Sequence, residues 1–95
     1  MKITINHKRY DTNRCEELGS ITHYNYSNTY SGTTRLMRAS DGQLIVWTDS
    51  NGQDCWLTDN IVAFNDCEET SIDDFDMTDE QEARCNELGL ITVVK

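Results

Sequence analysis

The sequence predicts an α+β fold: a small antiparallel β-sheet, a meander of four to six strands, with a short N-terminal helix and a longer C-terminal helix. Three observations predict it. The turn dipeptides Asp41-Gly42 and Asn51-Gly52 separate β-rich apolar runs in mid-chain, and such pairs are the strongest short-range hairpin signals. A hydroxyl-capped, glycine-stopped helical pattern follows near the C-terminus. The chain has 95 residues, too few for two independent cores, and folding at this size buries roughly 60–70% of the chain's surface. A single domain over residues 1–95 is expected. Its hydrophobic content of 37% is below the usual value of about 45–50%, yet two Trp, four Tyr and two Phe supply a small core.

The elements follow in order. Lys2-Ile3-Thr4-Ile5 alternates polar and apolar residues and reads as a half-buried strand. Asn6-His7 is a tight turn, since Asn tolerates positive φ, and Lys8-Arg9-Tyr10 returns as the second arm. Asp11 or Thr12 can cap a short helix with Cys15 and Leu18 on one face and Gly19 as its stop. Residues 20–32 read as an extended stretch carrying Tyr24 and Tyr26, then a loop. Residues 33–39, 43–48 and 53–57 read as a three-stranded meander with type I′ turns at the two glycine dipeptides, and residues 61–64 as an added strand. Thr78-Asp79-Glu80-Gln81 is a capping box, with the hydroxyl at the N-cap and Gln at N3. Asp79, Glu80 and Glu82 complement the helix dipole. The helix stops at Gly89, and residues 90–94 read as a terminal strand whose edge can pair with a second copy.

The charge is unevenly spread. The formal net charge is −9. Residues 1–65 carry seven acids and six bases, a net −1, whereas residues 66–95 carry ten acids and two bases, a net −8. Nine of the seventeen residues in 66–82 are acids and none is basic. This balance argues against direct binding to nucleic acid or to an anionic membrane and favours a basic partner.

Residues 14–22 and 84–92 match at seven of nine positions: Arg-Cys-x-Glu-Leu-Gly-x-Ile-Thr. Two readings account for the echo. Either the same local physics, a helix end followed by a glycine cap and a strand start, is solved twice, or the two form a pseudo-symmetric, packed pair. Both place Cys15 and Cys85 as small buried apolar residues.

Few chemistries fit the remaining residues. His7 and His23 are the only histidines, and no nucleophile motif lies beside them. Cys15, Cys55, Cys67 and Cys85 are widely spaced, without the close Cys/His pairs that zinc requires; free thiols are expected. Asp74-Phe75-Asp76-Met77-Thr78 begins like a calcium loop but lacks its glycine and its closing glutamate. No phosphate-binding loop or dinucleotide fingerprint is present. No enzyme activity, cofactor or metal is therefore expected. No apolar run reaches the ~18–20 residues of a membrane span, and the opening MKITINHKRYD has no signal-peptide core, so a cytoplasmic location is expected. Trp47 and Trp56 read as core residues, and Tyr24, Tyr26 and Tyr30 as lining a strand face.

The candidate site is the acidic segment: Asp66, Glu68, Glu69, Asp73, Asp74, Asp76, Asp79 and Glu80. Duplex DNA presents about one charge per 1.7 Å of axis, and nine carboxylates in seventeen residues, held on an ordered element, approach that density. Ile72 and Phe75 are positioned to pin the segment to the core.

Ile5-Asn6, Lys8-Arg9-Tyr10-Asp11-Thr12, Gly42 and residues 78–83 together resemble a class of small uncharacterised proteins encoded by phages and other mobile elements. The Tyr/Asn-rich stretch and the acidic connector depart from that class. The resemblance implies a compact α+β fold in a host-cell cytoplasmic protein, with no activity to carry over. Short acidic proteins of that origin include anti-CRISPR and anti-restriction inhibitors. The expected function is thus a non-catalytic inhibitor whose acidic face occupies the basic nucleic-acid-binding site of a host defence protein. The alternative is a structural or adaptor module that binds a protein through the Tyr-rich surface or a sheet edge.

Overall fold

The computed structural model of the protein describes residues 1–50, 57, 59–68 and 70–94. Two antiparallel sheets, of two and four strands, and one C-terminal helix make an α+β fold. The chain opens on a hairpin of β1 (Lys2–Ile5) and β2 (Lys8–Asp11), in register from Lys2↔Asp11 to Ile5↔Lys8. Asn6 and His7 adopt φ of 51° and 68°, the left-handed pair that a two-residue I′ turn requires.

A 3₁₀ turn over Thr12–Arg14, with the Asp11 carboxylate accepting from the Asn13 N–H at 3.0 Å, leads into β3 (Glu16–Tyr24). The expected N-terminal helix is therefore absent, and only this single turn stands in its place. The physical reason lies in the partner strand. β4 (Tyr30–Arg38) is nine residues long, and β3 pairs with it from Glu16↔Arg38 to Tyr24↔Tyr30. A helix ending at Leu18 would leave one edge of the C-terminal end of β4 unpaired, since β5 covers only the other. The register jumps between Glu17↔Met37 and Gly19↔Leu36, so Leu18 is the extra residue of a bulge, and it is fully buried.

β5 (Leu44–Ser50) and β6 (Asn60–Ala63) complete the four-stranded sheet in the order β3-β4-β5-β6. The β4–β5 connection differs from the expected type I′ turn. Gly42 donates to Ala39 O at 3.0 Å, Ala39 donates to Gln43 O at 2.9 Å, and only Gly42 in this turn has positive φ. The β3–β4 connection repeats the pattern, with Asn28 donating to Asn25 O at 2.9 Å, Asn25 to Thr29 O at 3.0 Å, and Asn28 at φ 59°. Both fit the three-residue hairpin connection, in which a turn is followed by one left-handed residue. The anticipated Asn51-Gly52 turn and most of the 53–57 run lie outside the described residues, as does Trp56. The strand that pairs with β5 is β6, with Val46 opposite Val62 and Trp47 opposite Ile61.

The C-terminal third forms a layer over one face of the sheet. It contains 3₁₀ turns at Phe64–Asp66 and Ile72–Asp74 and the helix α1 (Asp79–Glu87). Strand alternation puts Leu36, Val46 and Val62 on the face this layer covers. Leu18, Leu36, Val46, Phe75 and Cys85 are the buried cluster, with Ile72, Met77, Leu88, Leu90 and Ile91 packed around it. Met37, Ile45 and Ala63, buried on the opposite face, lie on the side of the β1–β2 hairpin, whose Ile3 and Ile5 share a cavity with Ile61 and Ala63. Among the described residues no helix is long and apolar enough to cross a membrane.

α1 ends at Leu88, and Gly89 takes φ of 76° as its left-handed stop. Residues 91–94 are not a strand, which overturns the expected terminal β-strand and the edge it was to offer to a second copy. Val93 N–H instead donates to Asn86 Oδ1 at 3.3 Å, and Ile91 packs on the core. The edge of β3 near the layer is already taken, since Ser20 and Asp76 exchange backbone hydrogen bonds of 2.9 and 2.8 Å.

Two expected outcomes follow from these contacts. A Cβ at Gly19 would sit 2.9 Å from Phe75 Cβ and 3.2 Å from Asp76 O, so Gly19→Ala forces the acidic layer away from β3. A loss of about 1–3 kcal/mol is expected in urea denaturation. The Tyr10 hydroxyl donates to Asp41 Oδ2 at 2.7 Å, tying the hairpin to the β4–β5 turn. This bond, with the Gln43 N–H and Lys8, holds the Asp41 carboxyl below its ordinary range. A depressed carboxylate stabilises the fold above its unfolded pKa, and that contribution is lost as pH falls through its folded pKa. Tyr10→Phe should therefore raise the Asp41 pKa in an NMR titration and weaken the acid-sensitive part of the stability curve.

Candidate acidic binding surface

Most acids of the candidate site sit on a local device, whereas Glu68 lies in the connection between the two 3₁₀ turns. Asp66 closes the first 3₁₀ turn. Ser71 and Asp74 form a reciprocal capping box around the second, with Asp74 Oδ2 accepting from the Ser71 N–H at 2.9 Å. Asp76 is fixed by its backbone bridge to Ser20. Asp79 and Glu80 occupy the first turn of α1 behind the Thr78 N-cap. There Thr78 Oγ1 accepts from the Gln81 N–H at 3.2 Å and Gln81 Oε1 accepts from the Thr78 N–H at 2.9 Å. The helix dipole favours carboxylates at this end.

Phe75, buried, and Ile72, half-buried, hold the segment against the core. Asp66, Glu68, Asp73, Asp74, Asp76, Asp79 and Glu80 are all exposed; Glu69 lies outside the described residues. These seven acids lie on the C-terminal segment that Ile72 and Phe75 hold to the core, and Asp66 also lines the cavity between β6 and the β1–β2 hairpin.

The cations pair elsewhere. Arg84 Nε bonds Glu16 Oε1 at 2.9 Å, and Arg84 Nη1 lies 3.4 Å from Glu87. Arg35 sits between Glu17 and Asp49, at 3.3 and 3.6 Å, and over the Trp47 ring at 4.9 Å. Lys8 pairs with Asp41 at 3.7 Å. Every ion pair among the described residues uses an acid outside 66–82. The 66–82 carboxylates thus enter no ion pair among the described residues. Trp47, expected in the core, is only half-buried and forms this Arg35 stack instead.

α1 is anchored to β3 by Arg84–Glu16 and by Cys85, whose thiol donates to Leu18 O at 3.8 Å. The two echoed segments therefore pack on each other, although only 84–92 ends a helix, and 14–22 runs as turn and strand. Burial, with Glu16 nearby, pushes the Cys85 thiol pKa up. Cys85 is buried as expected, whereas Cys15 is only half-buried, and its thiol bonds Asp11 O at 3.3 Å. Cys15, Cys67 and Cys85 are free thiols. Among the described residues no group of His, Cys, Asp and Glu is arranged to hold a metal ion.

Two cavities open on this layer. One, of about 420 Å³, lies between β4–β6 and the Asp66–Glu68 stretch and has a polar floor of Thr34, Thr48 and Asn60. Thr34 Oγ1 is already engaged with His23 Nε2 at 2.7 Å and with Thr48 Oγ1 at 2.9 Å. The other, of about 350 Å³, is framed by Ile72, Phe75, Met77 and Ile91, with Asp73, Asp76 and Glu82 at its rim. The sequence placed Glu82 at the end of the acidic face but did not assign Met77 or Ile91 to the site. The one available signal was the apolar run directly after Gly89, because a helix stopped by a left-handed glycine commonly folds an apolar residue back onto its last turns.

No family model, no curated protein and no solved structure matches this chain.

Thr78→Ala removes the acceptor that orders the first turn of α1. A stability loss of about 1 kcal/mol is expected in thermal or urea unfolding, with amide exchange accelerated at residues 79–82 before the β-sheet is affected.

Proposed function

We propose that the protein is a non-catalytic binding protein whose acidic C-terminal layer docks on a basic, nucleic-acid-binding surface of a protein partner. A host defence protein of the kind that phage-encoded inhibitors target is the partner class. The observation that carries this reading is the C-terminal acidic segment: seven exposed carboxylates, none of which enters an ion pair among the described residues. A fixed array of this kind competes with a phosphate backbone through long-range attraction, which weakens as salt rises.

A second reading is favoured by the β3–β4 hairpin. Tyr24 and Tyr30 face each other across its end, and Tyr26 tops it. Their exposures of 58%, 45% and 102% make them the largest exposed aromatic group among the described residues. Tyrosine is enriched in protein interfaces, so this tip suits an adaptor module.

Charge reversal separates the two. Asp73→Lys, Asp74→Lys and Asp76→Lys together change the formal charge from −9 to −3. If the acidic layer binds, capture of a basic nucleic-acid-binding protein from bacterial lysate is lost in this variant. Capture by the wild type is then reduced by salt and by added duplex DNA. Retained capture in the variant, with loss in Tyr24→Ala/Tyr26→Ala/Tyr30→Ala, overturns the acidic reading in favour of the hairpin tip. Asp74 also caps its own 3₁₀ turn, so the Asp73→Lys/Asp76→Lys pair serves as the variant that leaves that cap intact.

A further inference from the structure

We infer that the cavity of about 350 Å³ beneath the acidic rim is a socket for one arginine side chain of the partner. This rests on the acidic layer being the docking surface and names the side chain that anchors it. The lining is mixed: Ile72, Phe75, Met77 and Ile91 supply its apolar part and also pack in or against the core. Its charged part is anionic: Asp73, Asp76 and Glu82 line the same space, and all three are exposed.

Three separate elements bring the rim together. Asp73 comes from the second 3₁₀ turn, Asp76 from the bridge to β3, and Glu82 from α1. The rim is therefore fixed by the fold rather than by one flexible run of acids.

The chemistry of the lining selects the occupant. A hard divalent cation requires oxygen ligands around most of its surface, and four apolar side chains do not provide them. An apolar ligand would leave three carboxylates facing it. A long cationic side chain fits both parts, with its methylene stem along the apolar wall and its charged head at the rim. Between the two candidates, a lysine ammonium is compact and strongly hydrated. A guanidinium is planar and weakly hydrated, and it donates in a fork that engages two carboxylates together. Arginine is also the basic residue enriched at interface anchors, whereas lysine is depleted.

The test uses the full chain with end-blocked hexaarginine and hexalysine peptides as probes, at low salt, followed by methyl NMR and calorimetry. Hexaarginine is expected to bind several-fold more tightly than hexalysine and to shift the Ile72, Met77 and Ile91 methyl signals. Asp73→Asn/Asp76→Asn/Glu82→Gln is expected to weaken hexaarginine by about tenfold. The charge-matched control Asp66→Asn/Glu68→Gln/Glu80→Gln is expected to weaken it by less than about threefold. Ile91→Trp, which fills the cavity without altering charge, should abolish the preference for arginine while leaving lysine binding in place. If that variant does not fold, the two carboxylate triples, built only from exposed residues, carry the test. Equal binding of the two peptides, or equal loss in the two triples, overturns the socket. If charge reversal still abolishes partner capture in that case, the acidic layer stands as a docking surface without a socket. Failure of both peptides to bind the wild type overturns the socket, and retained capture by the charge-reversed chain overturns the layer itself.

Discussion

The contact on which the rest depends is the seam between β3 and the C-terminal layer. Gly19 has no side chain, and that absence lets Phe75 and Met77 lie directly on the strand. One residue on, Ser20 exchanges two backbone hydrogen bonds with Asp76. One residue back, the bulged Leu18 reaches the core beside Cys85. Three consecutive residues of β3 thus hold the layer by close approach, by a ladder pair and by burial. Releasing the acidic segment would expose Phe75 and uncover Leu36 and Val46. The order of the carboxylates is therefore bound to the stability of the core, which is what separates this segment from a solvated acidic tail.

How far the sequence predicted this depends on how local the determining physics was. The Asn6-His7 turn, the Thr78–Gln81 box and the Gly89 stop are set by a few adjacent residues, and each stands where those residues indicate. The pinning of the acidic run by Ile72 and Phe75 was also legible, because apolar residues isolated in a charged stretch have few alternatives to the core. The N-terminal helix was not. Asp11, Cys15, Leu18 and Gly19 satisfy helical spacing, and Glu16 and Glu17 are good helix formers. What decides residues 16–18 is pairing with the C-terminal end of β4, 20 to 22 residues further along the chain, which overrides local propensity. A bulge compounds the difficulty, since the extra residue breaks the period-two alternation by which a strand is recognised.

The echo of residues 14–22 in 84–92 makes the same point within one chain. Glycine is required at both Gly19 and Gly89, for different reasons. Gly89 needs positive φ to end α1, whereas Gly19 needs the space that a Cβ would occupy against Phe75. The cysteines diverge as well: Cys85 is enclosed by the layer it belongs to, and Cys15 sits at the half-open joint of turn and strand. Near-identical nonapeptides thus take different structures, and the two then pack on each other through Leu18–Cys85 and Glu16–Arg84.

That packing also bears on electrostatics. The chain has 8 basic residues against 17 acidic ones, and the fold uses several of the bases where they tie elements together. Arg84 joins α1 to β3, Arg35 spans β3 to β5, and Lys8 meets the β4–β5 turn. None of these cations forms an ion pair with a 66–82 carboxylate among the described residues, although Arg84 is on the same helix as Asp79, Glu80 and Glu82. Crowding like charges costs stability, and the structure offsets that cost without neutralising them. It does so through the Ser71 N–H donated to Asp74, the helix dipole behind Asp79 and Glu80, and apolar anchors at Ile72 and Phe75. Stabilising a carboxylate by dipoles and neighbouring burial keeps its charge available to a partner, whereas pairing it with an internal cation would consume that charge. On the proposed function, that unpaired charge is what a cationic groove meets.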